Sequence, residues 1–109
     1  MHKLFFTVPL DKAESVKESL FKLGLGIQGN YKNVSFETEG VGQFYPLECS
    51  NPKLGEKKQL THVIEKKIEM LCPDELMEKA IECLKKNHPY ESPAYELIPL
   101  DYYYTRDPS

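Results

Sequence analysis

The sequence predicts an α+β sandwich in which a four-stranded antiparallel sheet carries two helices on one face. Three observations lead there. Apolar residues recur at period two in four segments and at helical spacing in two others. The six elements alternate as β-α-β-β-α-β. Each helix links two strands and the middle pair reads as a hairpin, which is the ferredoxin-like arrangement.

The first strand spans 2–8. Leu4, Phe6 and Val8 share one face, Phe5 takes the other, and Pro9 ends the segment. Asp11 then opens a helix, with Glu14 three residues on as a capping box. Ala13, Val16, Leu20 and Leu23 fall on its apolar stripe, and Lys12, Lys17, Glu18 and Lys22 face water. Gly24 suits the C-terminal cap.

A connection punctuated by Gly24, Gly26 and Gly29 runs to Asn30. Residues 31–39 read as the second strand, with Val34, Phe36 and Thr38 opposite Ser35 and Glu37. Gly40 and Gly42 predict a bulge or bend, because glycine takes positive φ at little cost. Phe44 and Tyr45 continue an extended segment up to Pro46, and 48–59 form a loop. A long strand over 60–72 interposes Glu65, Lys66 and Lys67 among apolar residues, so part of it leaves the buried zone. Pro73 fits the first position of a second helix, favoured by Asp74 and Glu75 at its positive end. Leu76, Ala80 and Leu84 stack along that helix, joined by Met77 and Ile81. Pro89 stops it. The last strand spans 94–100, with Tyr95, Leu97 and Pro99 on one side and Ala94, Ile98 and Leu100 on the other.

Residues 1–101 are therefore one domain, and 102–109 a tail whose Tyr102, Tyr103 and Tyr104 are expected to cover a sheet edge or a neighbouring subunit. The chain has 109 residues, 14 Lys+Arg against 17 Asp+Glu, and a net charge of −3. Such a chain buries roughly two-thirds of its unfolded surface, enough for one core. Mild acidity argues against a nucleic-acid partner, which asks for a basic face. The apolar run Leu4–Val8 is too short for a signal-peptide core and no run approaches a membrane span, so a cytoplasmic protein without a membrane partner is expected. Cys49, Cys72 and Cys83 form no CxxC pair, which argues for reduced, mostly buried thiols over a disulfide framework or structural zinc. With Glu48 beside it and no adjacent base, Cys49 is a poor nucleophile.

Two stretches carry more than generic fold information. One is Gly26-Ile27-Gln28-Gly29-Asn30-Tyr31, followed by Val34-Ser35-Phe36, Thr38-Glu39-Gly40, Gly42, Phe44, Pro46-Leu47, Asn51-Pro52 and Gly55. The other is His88-Pro89-Tyr90-Glu91-Ser92-Pro93-Ala94-Tyr95-Glu96. Together they resemble the domain inserted in the middle of many Nif-three-like proteins, itself similar to PII-like and CutA-like modules. The resemblance spans roughly residues 2–100 and rests most on the second string. Full-length members place a dinuclear metal core on both sides of the insert, and those flanks are not in this sequence. The expectation is a stand-alone module without that core, whose metal-dependent chemistry does not carry over. Where family members often show His and Cys before the Ser-Phe pair, this chain has Asn33 and Val34, so no metal ligand is assigned. The resemblance implies the insert's fold and homo-oligomerisation, as a trimer or, second, a dimer. It also implies an effector cleft between subunits lined by Asn30, Tyr31 and Glu39.

The candidate ligand-binding residues are thus Asn30, Tyr31, Glu39, His88, Tyr90 and Glu91. His88 and Glu91 admit two readings, a polar cluster for ligand binding or acid–base work and a rigid turn into the last strand. The GxGxxG spacing at Gly24, Gly26 and Gly29 follows a helix, whereas phosphate binding needs one that opens a helix. The main expectation is a non-catalytic oligomeric module that binds a small-molecule effector or a metal, or regulates a partner, with no resident cofactor. The alternatives are a small acid–base enzyme using His88 and Glu91, and a structural companion of a separately encoded metal core.

Overall fold

A computed structural model describes residues 1–52 and 54–101. The elements run β1 (His2–Pro9), α1 (Ala13–Leu23), β2 (Phe36–Phe44), β3 (Thr61–Cys72), α2 (Met77–Asn87) and β4 (Tyr95–Pro99). All four strands pair antiparallel in the order β2-β3-β1-β4, the ferredoxin-like topology. The tyrosine-rich tail lies outside the described residues. Among the described residues, no helix is long and apolar enough to cross a membrane.

The core forms where the period-two face of the sheet meets the two helical stripes. Leu4, Phe6 and Val8 of β1 and Ile68, Met70 and Cys72 of β3 are buried against Val16 and Leu20 of α1 and Ala80 and Leu84 of α2. Each large apolar side chain buried this way contributes roughly 1.5–3 kcal/mol. Gly24 takes φ 117° and its amide reaches the carbonyls of Leu20 and Phe21, closing α1 as expected. That turn also drops Leu25 into the core, while Leu23 stays half-buried.

Both helix starts differ from expectation. The Asp11–Glu14 capping box does not form, and Pro73 is not the first residue of α2. Pro9 and Pro73 each precede a three-residue 3-10 turn, Leu10–Lys12 and Asp74–Leu76, and no side chain caps either helix. An extended proline leaving a strand delays the first full turn, and the 3-10 bonds satisfy backbone groups a cap would otherwise serve.

The second strand begins five residues later than expected and shows the opposite face. Residues 24–34 make a tight connection, with a Gln28–Tyr31 bridge and positive φ at Gly26, Gly29 and Asn33. In β2, Glu37 points toward the helices and Phe36 away, 65% exposed. An ion-pair knot decides this. Lys17 Nζ lies 2.8 Å from Glu37 Oε1 and 2.8 Å from Glu14 Oε2, and Lys66 holds the other Glu37 oxygen. Lys17, expected in water, is half-buried beneath that knot.

Nor is there a bulge at Gly40 or Gly42. The β2–β3 register runs without interruption from Phe36↔Glu69 to Phe44↔Thr61, and neither glycine has positive φ. Pairing of β1 with β3 stops at Pro9↔Glu65, so Val41–Phe44 and Thr61–Ile64 continue as a two-stranded arm. This is the part of the long strand that leaves the buried zone.

The sheet face away from the helices is not uniformly bare. Phe5 lies under Lys67, whose Nζ is 4.8 Å from the ring centroid, and Lys3, Glu69, Glu96 and Ile98 share this face by register. At the other end, residues 45–52 together with Leu54, and the turn after α2, roof it.

Candidate functional site

That roofed end encloses a cleft of about 590 Å³. Its floor comes from three strands. By register, Thr7 of β1, Gly42 and Phe44 of β2 and Glu65 of β3 all face away from the helices. Its walls are Tyr45, Pro46, Leu47 and Leu54 on one side and Tyr90, Glu91 and Ala94 on the other.

A chain of hydrogen bonds holds the turn against the floor. His88 is 6% exposed. Its Nδ1 lies 3.1 Å from the Tyr90 amide and its Nε2 2.7 Å from the Thr7 carbonyl. An amide can only donate and a carbonyl only accept, so the imidazole is neutral and protonated at Nε2. Burial first of all pushes the His88 pKa down, against the pull of the Thr7 carbonyl and the Glu65 charge. The Tyr90 hydroxyl then donates to Glu65 Oε2 at 2.7 Å. Burial, and next the Glu65 carboxylate, hold that phenol above its usual range. Phe44 and His88 flank the Tyr90 ring at centroid distances of 5.8 Å and 5.0 Å.

Glu65 is nine-tenths buried, although Lys66 and Lys67 beside it read as a solvated run. Room for its carboxylate comes from Gly42, where a Cβ would overlap Glu65 Oε1. Glycine is needed here for close approach, not for a bend. Glu91 is exposed at the rim, where its Oε1 accepts from the Asn51 amide at 2.9 Å and so latches the loop to the turn.

Of the six residues singled out, the cleft brings together Tyr90 and Glu91, with His88 directly behind Tyr90. Asn30 and Tyr31 lie exposed in the 24–34 connection, and Glu39 faces Lys66 across β2 and β3. His88 and Glu91 do not pair. Both His88 nitrogens are engaged elsewhere, and Glu91 serves the loop. The two prolines frame a turn in which the His88 amide caps α2 on the Leu84 carbonyl while its side chain bonds to Thr7 of β1. Thr7, Gly42, Phe44 and Glu65 were missed. The one trace of them in the sequence is a glycine inside a strand, which signals close approach as readily as a bulge.

The three histidines stay apart, with His2 on Asp74, His62 on Gln43 and His88 on Thr7. Among the described residues, no three of His, Cys, Asp and Glu gather in a ligating arrangement. The three cysteines are unpaired. Burial pushes up the Cys72 and Cys83 thiols, whereas Cys49 is exposed at the cleft, so the expectation of buried thiols fails there.

No protein-family model matches the chain. It is 39% identical over 100 residues to a Halalkalibacterium halodurans protein named GTP cyclohydrolase 1 type 2 homolog, and 40% identical over 100 residues to one of that name from Listeria innocua. These alignments take in 92% and 91% of this chain but only 27% of each relative, so the chain spans about a quarter of their length. A crystal structure of a Bacillus cereus protein related to NIF3 superposes with TM-score 0.79 at 38% identity, over 93% of this chain and 26% of that one. CutA1 from Pyrococcus horikoshii superposes with TM-score 0.68 over 94% of this chain and 85% of that one, where 20% identity speaks for the fold alone. The chain thus resembles a quarter-length segment of NIF3-related proteins and has the CutA-like fold.

Proposed function

We infer from this quarter-length correspondence that the chain is a non-catalytic, self-associating PII/CutA-like module that takes a small-molecule effector in its cleft. The observation that carries the reading is how the polar groups around the cleft are used. His88 and Tyr90 are spent on bonds that hold the walls, and Glu91 is spent on the loop. A general base must reach a substrate proton, and both His88 nitrogens are already engaged. What remains accessible is an apolar, aromatic-sided cleft with a carboxylate at its floor, the usual make-up of a binding pocket. The GTP cyclohydrolase named in the relatives' descriptions belongs to proteins about four times as long, and our reading gives this segment no step of such a reaction.

Association is supported by the arm. Val41 and Ile64 are cross-strand partners there, 70% and 53% exposed, an apolar pair that a second copy would cover. The reading favours a trimer over a dimer, through the resemblance to such modules. The free thiols support a cytoplasmic setting.

Multi-angle light scattering at micromolar concentration tests association: a trimer is expected, and a clean monomer contradicts it. Thermal-shift screening against nucleotides, amines and divalent cations tests the effector. A ligand that raises the melting temperature of the wild type but not of Leu47→Trp, which fills the cleft, supports the reading. A ligand that stabilises both equally contradicts it.

A second reading is favoured by the 27% coverage. The segment would act as a structural companion to a NIF3-like metal core supplied by another segment or chain.

A further inference from the structure

We propose that the cleft selects a small organic cation, its ammonium or guanidinium head on the Glu65 carboxylate and its apolar body along Phe44, Leu47 and Leu54. This rests on the reading of the cleft as an effector site and deepens it by naming the ligand's charge.

Glu65 is 9% exposed, yet among the described residues its carboxylate has one hydrogen-bond partner, the neutral Tyr90 hydroxyl on Oε2. Oε1 stands in the space over Gly42, has no donor among the described residues, and is not fully buried but open to the cleft. Among the described residues, the cations next to it on β3 are used elsewhere, Lys66 on Glu37 across the helix side and Lys67 over the Phe5 ring. A buried carboxylate is normally matched by a cation or by several donors, because desolvation is otherwise uncompensated. Glu65 lines the cleft, so a cation can reach the free oxygen from there.

The surroundings agree. Among the described lining residues, the charged side chains are Glu65 and Glu91, both negative. A phosphate or carboxylate ligand would be repelled by both. Phe44 and Tyr90, with centroids 5.8 Å apart and planes at 56°, offer π-faces that attract an organic cation. A hard divalent cation asks for six or more oxygen ligands, and among the described residues no three of His, Cys, Asp and Glu gather around the cleft to supply them. A cleft of about 590 Å³ suits a small organic molecule better.

Isothermal titration calorimetry on the full chain with three isosteric probes tests this: benzylammonium, benzyl alcohol and benzoate. Benzylammonium is expected to bind at least tenfold more tightly than benzyl alcohol, about 1.4 kcal/mol, with benzoate weaker still. Added salt weakens the ammonium alone. Glu65→Gln keeps an acceptor for Tyr90 and should erase the ammonium preference. If that variant does not fold, Leu47→Trp, at an exposed rim position, should abolish binding. Benzyl alcohol binding as well as the ammonium, or benzoate binding best, overturns the charge assignment and leaves the cleft a ligand site. No binding by any probe up to about 10 mM, where even weak fragments register, overturns the charge assignment and the effector reading together.

Discussion

Tyr90 donates its hydroxyl to Glu65 Oε2 over 2.7 Å, tying the turn after α2 to the middle of β3. The bond closes one side of the cleft and supplies the buried carboxylate with its one described donor. Tyr90→Phe should therefore leave Glu65 unpartnered and destabilise the chain by about 1–3 kcal/mol. Urea unfolding of the two proteins measures the difference. A change within error would mean that Glu65 is hydrated in solution and the turn is held by other contacts.

The two glycines of β2 should respond in opposite ways. A Cβ at Gly40 meets nothing within 4 Å, so Gly40→Ala should be neutral or stabilise by up to about 1 kcal/mol through reduced chain entropy. At Gly42 the Cβ collides with the Glu65 carboxylate, which must swing off the Tyr90 hydroxyl to make room, so Gly42→Ala should cost about 1–3 kcal/mol. Adding Glu65→Ala to Gly42→Ala should recover part of that loss, a non-additivity that a double-mutant cycle reads directly. Equal effects at Gly40 and Gly42 would contradict the packing described here.

His88 predicts a pH dependence with a definite sign. Burial lowers its folded-state pKa below the ordinary 6.5, so the unfolded chain binds the proton more readily. Its contribution is fully present above pH 6.5 and is lost as pH falls from there toward the folded pKa, with a slope of at most about 1.4 kcal/mol per pH unit. His88→Gln should flatten that slope in denaturant titrations between pH 5 and 8. A second loss should begin below about pH 4.5, because hydrogen bonds from Lys17 and then Lys66 hold the Glu37 carboxyl down. Stability that rises on acidification from pH 7 to 5 would contradict the neutral His88.

The arm makes a separate prediction about assembly. Replacing Val41 and Ile64 by Thr keeps strand propensity while removing apolar surface. The double variant should shift the light-scattering mass toward monomer and leave the circular dichroism spectrum unchanged. An unaltered oligomer would place the contact elsewhere, on the Phe5–Ile98 face for example.

How far the sequence reached depends on the range of the forces involved. The six elements, the core face of β1 and the Gly24 cap were legible because they follow from periodicity and local backbone chemistry. The facing of β2 was not. Phe36 is the more apolar residue, yet Glu37 turns inward because Lys17 and Lys66, both distant in sequence, meet it there. The His88–Glu91 string pointed to the right place but not to the right roles. His88 holds the turn and Glu91 holds the loop, while the buried acid is Glu65, hidden in a stretch of charges that looked solvated. Its burial depends on Gly42 and Tyr90, which no local pattern connects to it. Asn30, Tyr31 and Glu39 came from a resemblance that implies a cleft between subunits, and within one chain they lie apart from the cleft formed here.

The most direct test is a two-dimensional nitrogen-15 amide titration of the folded chain with benzylammonium. The account expects saturable shifts gathered at Gly42 to Leu47, Asn51, Glu65 and Tyr90 to Ser92. Shifts centred instead on Asn30, Tyr31 and Glu39, or spread evenly over the sheet, would contradict a binding cleft built on Glu65 and Tyr90.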